Sequence, residues 1–498
     1  MTPEGELDET AFANDSIMAY GAYNFGEQTL GLTYDQYNMN SEIATGMPGF
    51  KLDMPQRDRE KVAAFYTVEN VSNLLTKVQV DVYQQTVDRE FVQHMEMYGM
   101  PARPPMTADM VVDTQINEQL DTLGFNGQFD FTLGDAHYVI AGLQYTKDEV
   151  DKNTDNQTQI TMHMPAMPEK PGMPTMPAMP PMVVNSEEAN FEQASLTTQA
   201  LYVQDEWQVS NDWLVTLGAR HYWVDSELIT STRGLETGTS DDSELVGSLA
   251  TNYSLGEDQS IRALVSQGYG YPTLLQTAMG ATAAGSYINP NADLAAEKSI
   301  NYEVGYRLRA GDMVLDATGF YTNTDEYLTT IACSQTTLKC VNAITDDIYV
   351  NADEATSKGV ELDAAIDFEQ VNIYSSLTWS ERETTMGDFT TTKTGLPSLY
   401  GRAGIKVFAE SKTFGNYWFD AYLRAASNAQ EQESATDKVR NYAGWGTVNL
   451  AFGTRFGQDD MMMLSFEALN ITDKKYSPAS EGLLAAGQSI QAKLSVQF

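Results

Sequence analysis

The last ten residues, SIQAKLSVQF, alternate strictly: Ile490, Ala492, Leu494, Val496 and Phe498 fall on one side, Gln491, Lys493, Ser495 and Gln497 on the other. Successive side chains of an extended chain point to opposite sides of the pleat, so this pattern fits a β-strand with one apolar and one polar face. The signature returns along nearly the whole chain, in IMAYGAYNF, KVQVDVYQQ, HYVIAGLQYT, WLVTLGARHYW, MVLDATGFYTN and GTVNLAFGTRF among others. About nineteen such segments of about ten residues can be counted, the length that crosses a bilayer at a tilt. Helical periodicity is hard to find over more than two turns. Residues 1–498 therefore read as one repeating all-β architecture, not as several domains.

Alternation alone does not say what the apolar face meets. In VNLAFGTRF, Val448, Leu450, Phe452 and Phe456 share one face and Asn449, Ala451, Gly453 and Arg455 the other. A soluble sandwich hides its apolar face at the centre, whereas a membrane barrel turns it outward and encloses the polar one. The connections decide between them. Tight polar turns at 210–212, 256–259, 310–312, 369–370 and 457–460 alternate with long connections at 94–110, 155–192, 271–298, 331–350, 385–397 and 428–443. Short turns on one rim and long loops on the other predict a transmembrane antiparallel β-barrel in the outer membrane of a Gram-negative bacterium, turns in the periplasm and loops outside. Trp213 and Trp223 bracket one strand, as interfacial girdles require. No apolar run of about 18 residues is available for a spanning helix.

Composition narrows the partners. With 69 acidic and 30 basic residues the formal net charge is −39, which repels phosphate backbones and argues against nucleic acid. Cys333 and Cys340 stand in a short polar stretch between strand-like segments and are expected to pair as a disulfide, in keeping with an oxidising exterior. The four histidines join no Ser/His/acid constellation and no phosphate-binding loop occurs, so no enzyme is expected.

Five segments, spread from the middle of the chain to its end, carry a family resemblance: ALYVQDEWQVSNDWLVTLGARHYWVD (200–225), GYGYPT (268–273) leading to INPNADLAAEKSINYEVGYRL (288–308), TSKGVELDAAIDF (356–368), FEALNITDKKY (466–476) and the terminal Phe498. In this order they resemble the barrel of a TonB-dependent outer-membrane receptor. The resemblance implies a barrel of about 22 strands with a plugged lumen, a TonB complex in the inner membrane as partner acting through the plug, a scarce metal complex as cargo, and no intrinsic cofactor. Bacterial single-chain barrels have even strand numbers. Numbered back from Phe498, the chain is about three strands short of the family barrel and shows no plug. The opening MTPEGELDETAFANDS also lacks the basic and apolar regions of a secretory signal. The expectation is a barrel that lacks its plug and first strands, acting as a monomer in the bilayer.

Within that resemblance, YGYPT (269–273) and NPNADL (289–294) are similar to the FRAP and NPNL boxes of one loop of haem receptors. The interval between them has no histidine, but Met279 and Tyr287 could approach an iron. Tyr271, Met279, Tyr287, Asn289 and Asn291 are accordingly the candidate ligand contacts, for a siderophore complex or haem. A second set lies in MHMPAMPEKPGMPTMPAMPPM (162–182), where Met and Pro each recur every third residue. Polyproline II, with three residues per turn, would align those methionines on one side of a rod. Neighbours about 9 Å apart there are too distant to share an ion, so a site needs a second loop, HMEMYGMPARPPMTADM (94–110). His94, Met95, Met97, Met100, His163, Met164 and Met167 are the candidate ligands, suited to copper and similar to the loops of TonB-dependent copper receptors. A passive porin-like channel is the remaining alternative, which a plug encoded upstream would discriminate.

Overall fold

The computed structural model describes residues 9–102, 106–166, 177–283, 286–411, 415–432, 434–435, 438–457, 461–478 and 483–497. Its first ten strands are β1 (Phe12–Phe25), β2 (Gln28–Ile43), β3 (Phe50–Glu69), β4 (Leu75–Pro101), β5 (Thr107–Leu133), β6 (His137–Met164), β7 (Met179–Ser210), β8 (Trp213–Ser231), β9 (Gly238–Ser254) and β10 (Gln259–Gly270). They belong to one 22-stranded sheet. Three members are short loop strands, Ala281–Ala283, Ser286–Asn289 and Phe389–Thr391; the other nineteen are long, each paired antiparallel with the long strands next to it in sequence. Among the described residues, β1 pairs only with β2, and the last strand, Ser489–Val496, only with Met462–Leu469.

All the short turns gather on one rim, at 26–27, 211–212, 311–312 and 369–370 for example, and the longer connections on the other. The apolar face is outside. Ile490, Leu494 and Val496 of the last strand are exposed, as are Val82, Leu123, Phe125, Leu143, Leu201 and Val203 near the short-turn ends of β4–β7. The opposite face of the same strands holds Asp130, Thr122 and Glu118, all buried. There Tyr138 donates to Asp130 (2.8 Å) and Thr122 to Asp148 (2.6 Å). Lipid on one side and a polar enclosure on the other account for this inversion. Exposed aromatic residues mark both edges of the apolar band: Trp207 stacked on His137, and Trp213 edge-on to Tyr253, near the short turns, and Trp223, Tyr302 and Tyr321 one bilayer crossing further along.

Four strands depart from the sequence-based expectation. β4, β5, β6 and β7 run for 27, 27, 28 and 32 residues, whereas about ten suffice to cross a bilayer. The stretches 94–110 and 155–192, expected as loops, are strand over 94–101, 107–110, 155–164 and 179–192. Above the membrane the outer face turns polar, as in Asp113, Gln115, Asn117, Gln119 and Asp121 of β5, so the alternation that marked the lower half disappears while backbone pairing continues. The expected polyproline rod over 162–182 is likewise replaced at both ends, Met162–Met164 closing β6 and Met179–Met182 opening β7. Pro180 and Pro181 fall beside the irregularity between Met162 and Met164, and β7 has no β8 partner before Glu192; an unpaired edge and a bulge are where a strand tolerates proline. Met167 and Phe498 lie outside the described residues.

Candidate ligand site at the extracellular mouth

The long connection after β10 folds back into the mouth. Its π-helical turn, Leu275–Met279, ends at Gly280, whose φ is 65°. A Cβ there would lie 2.4 Å from the Tyr287 hydroxyl and 2.5 Å from the Ile288 carbonyl, so only glycine lets the chain reverse at this spot. Leu274, Ala278 and the fully buried Met279 pack with Val150, Ala194 and Leu228 of the inner walls of β6, β7 and β8. This apolar cluster on the inner face is where the loop docks.

Charge is buried beside that contact. Lys152 and Glu192 are register partners on β6 and β7, with side chains 3% and 0% exposed and Nζ 3.7 Å from Oε2. Lys152 also donates to the Gly280 carbonyl at 2.9 Å, and Arg233 donates through Nε to Glu192 Oε1 at 2.7 Å. The Arg233 guanidinium lies 4.4 Å from the centre of the Tyr287 ring, and the Tyr287 hydroxyl donates to the Met279 carbonyl at 2.7 Å. Burial pushes the Lys152 ammonium below the ordinary lysine value, against the pull of Glu192, and burial pushes the Tyr287 hydroxyl up. One carboxylate serving two cations, with the Gly280 carbonyl as a further partner, offsets part of the desolvation cost and ties the loop to the wall. None of Lys152, Glu192 and Arg233 stands out in the sequence. Each looks like one more charge in an acidic chain until register brings them together.

The candidate ligand residues sit in or beside this packing. Met279 and Tyr287 are buried as described. Asn289, 1% exposed, donates to the Asp347 carbonyl at 2.9 Å and accepts from the Val341 amide at 2.8 Å. Asn291 donates to the Tyr349 carbonyl at 3.1 Å, and Tyr271 shares a 3.0 Å hydrogen bond with Ser226. Asn289 thereby joins the docked loop to the 333–346 connection, itself closed by the Cys333–Cys340 disulfide, Cα–Cα 6.3 Å, and Asn291 ties it to the start of the strand Asp347–Phe368. Between these two loops and the β8–β9 connection opens a cavity of about 620 Å³, with Arg233, Thr277, Asn291, Asp293 and Lys339 in its lining. The Lys339 ammonium, 2.7 Å from Glu236, bridges one side of it.

The second candidate set occupies the tips of β4–β7, and register splits it by face. Met95, Met97, Met110 and Met162 lie on the same side as the buried Val112, Thr114 and Glu118, the inner face. His94 and His163 are on the outer face, held by carboxylates: His94 Nδ1 to Asp113 at 2.6 Å and Nε2 to Glu96 at 3.2 Å, His163 Nε2 to Asp109 at 2.8 Å. The hydrogen bond to Asp113, then that to Glu96, holds the His94 pKa above the ordinary imidazole value. A single site combining these imidazoles with these thioethers is not what the sheet assembles. Among the described residues, no group of three or more His, Cys, Asp or Glu gathers to hold a metal ion.

The family model described as TonB dependent receptor-like, beta-barrel matches residues 5–471. The chain belongs to the TonB-dependent receptor family. Its barrel sits in the outer membrane, and the family is one of receptors and transporters, not of enzymes. The pesticin receptor of Yersinia pestis is 34% identical over 135 residues, 26% of this chain and 17% of that receptor. The iron-regulated outer membrane virulence protein of Vibrio cholerae is 22% identical over 312 residues, 61% of this chain and 45% of that protein. The chain thus matches less than half the length of either relative. Among solved structures, the copper transporter OprC has a TM-score of 0.71 at 14% identity, covering 100% of this chain and 74% of that one. The ferric citrate transporter FecA, unliganded, has a TM-score of 0.66 at 14% identity, covering 99% and 71%. At these identities the likeness is one of fold, shared by barrels that carry different metals.

Proposed function

We propose that residues 1–498 are the barrel portion of a receptor that captures a scarce iron complex, a siderophore or haem, at the extracellular mouth, with TonB in the inner membrane supplying the work of import through a plug outside this chain. The observation that carries this reading is the mouth cavity of about 620 Å³, the size of a small-ligand site, framed by three loops on a barrel of this family. Arg233, Lys339 and Asn291 offer donors to an oxygen-rich, anionic chelate. The receptor is proposed to act as a monomer.

The test is uptake of radioactive iron, supplied as a panel of siderophores and as haem, by a receptor-deleted strain carrying the intact gene or its Asn291→Trp variant. The reading expects uptake of at least one complex, its loss on dissipating the proton-motive force, and its loss when the cavity is filled although the barrel still reaches the surface. Uptake indifferent to the proton-motive force would replace it by a porin-like channel. A second cargo, copper, is favoured by the methionines gathered at the tips of β4–β7. Growth rescued by an iron complex and indifferent to copper limitation would remove it.

A further inference from the structure

Sequence spacing separates the methionines of 94–110 and 162–182, but the sheet register joins them. Met97 of β4 is the direct cross-strand partner of Met110 of β5, Met162 of β6 is that of Met182 of β7, and Met164 is that of Met179. Direct cross-strand neighbours hold their Cβ atoms about 4.5–5.5 Å apart, and diagonal ones remain within reach of long side chains. Two sulfurs on one ion stand at most about 4.6 Å apart, twice a metal–sulfur bond of about 2.3 Å. Strand pairing therefore supplies the closeness that a polyproline rod denies.

The two groups also meet across β5 and β6. Ala108 lies in one row between Met100 and Met162 and is only 8% exposed although it sits at the tip of the sheet. Met110, two residues along β5 from Ala108, is diagonal to Met162. A β4 bulge between Met97 and Met100 sets both of these methionines beside the Ala108–Met110 stretch, with the Gly99 amide donating to Asp109 at 2.8 Å. Just below, Gln93 on the same face donates to the Thr282 carbonyl of the docked loop at 3.2 Å, so this cluster overlooks the mouth.

We infer that the cross-strand methionine pairs at the tips of β4–β7, Met97 with Met110 and Met162 with Met182, each form a two-thioether site for a soft monovalent cation of the Cu(I) class, with the diagonal neighbours Met110 and Met162 standing between the pairs. Thioether sulfur selects Cu(I) over the hard ions that oxygen ligands take, and the outward-facing, carboxylate-bound histidines take no part. The inference deepens the copper reading above and does not depend on the iron one.

The test uses the full chain, purified in detergent under anaerobic reducing conditions and titrated with Cu(I), and in parallel with redox-inert Ag(I), against a chromogenic competitor. X-ray absorption at the metal edge reads the ligand atoms. The chain is expected to bind through a sulfur shell. Met110→Leu/Met162→Leu, which keeps apolar volume, weakens binding about tenfold or more, while His94→Gln/His163→Gln does not change it. Heat-modifiable migration on gels checks that each variant is folded. Absence of binding, a nitrogen or oxygen shell, or a methionine double variant that binds like the parent would each overturn the site. Radioactive iron uptake by the methionine double variant separates the two readings: unchanged uptake with lost Cu(I) binding supports a thioether site distinct from the iron route. Loss of both in a folded barrel would overturn that separation.

Discussion

The inner and outer faces of β4–β7 obey different rules along the same residues. Outside, Val78, Val80 and Val82 of β4 give way to Gln84, Thr86, Asp88 and Glu90, and β5 makes the same change, from Phe125 and Leu123 to Asp121 and Gln119. Inside, the order is reversed. The lower wall is polar, with Asp130 and Tyr138, and the upper wall carries Val150 and Ala194 against the docked loop. Each face is matched to what it touches at that height, lipid then water outside, enclosed solvent then protein inside. The backbone ladder continues unbroken through both changes. Side-chain polarity reports the surroundings, and pairing alone reports the strand.

That contrast can be broken first where it costs most. Glu192→Ala leaves Lys152 and Arg233 buried without their shared carboxylate and should destabilise the docked loop by about 3–5 kcal/mol. Hydrogen exchange across 271–296 should rise sharply while the last strand stays protected. On the outer face, Leu201→Arg in the lipid band should cost about 2–4 kcal/mol in urea titrations of the barrel in vesicles. Gln115→Arg, outward on β5 but above the band, should stay within about 0.5 kcal/mol; equal effects at the two sites would erase the boundary drawn here. Replacing Cys333 and Cys340 by Ala opens a loop of sequence separation 7, which by chain entropy is worth about 2 kcal/mol. It should loosen 333–346 and, through Asn289, the cavity edge, leaving the lipid band unchanged.

The smallest effect expected is one of pH, at the tip. His94 has its pKa raised in the folded chain by Asp113 and Glu96, so the stability it lends to β4–β5 pairing is full below the ordinary imidazole value of about 6.5. That contribution fades as pH climbs through the raised value. Exchange of the 107–113 amides should quicken over that window, beyond its intrinsic pH dependence, and His94→Gln should remove the added change.

Much of the barrel is legible in the sequence. SIQAKLSVQF and WLVTLGARHYW announce strands because lipid on one side and a polar lumen on the other force period two, and turn lengths announce the orientation. The tips of β4–β7, within 94–110 and 155–192, read as loops because the outer face is polar there and the inner face mixes polar with apolar residues, so the alternation that marks a strand is lost while pairing continues. The mouth was less legible. The loop motif points to Asn289 and Met279 as ligand contacts, while Lys152, Glu192 and Arg233, which bind that loop to the wall, carry no local signal.

By itself, then, the sequence determined that this chain makes paired strands with one greasy face, short turns at one end and long connections at the other, since those follow from neighbours a few residues apart. Only the tertiary structure decided which residues meet: Lys152 with Glu192, Asn289 with the 333–346 loop, Met97 with Met110 and Met162 with Met182. Register sets those meetings, and a shift of one residue would turn every side chain to the opposite face. Such pairings join positions far apart in the chain, which no local pattern can specify.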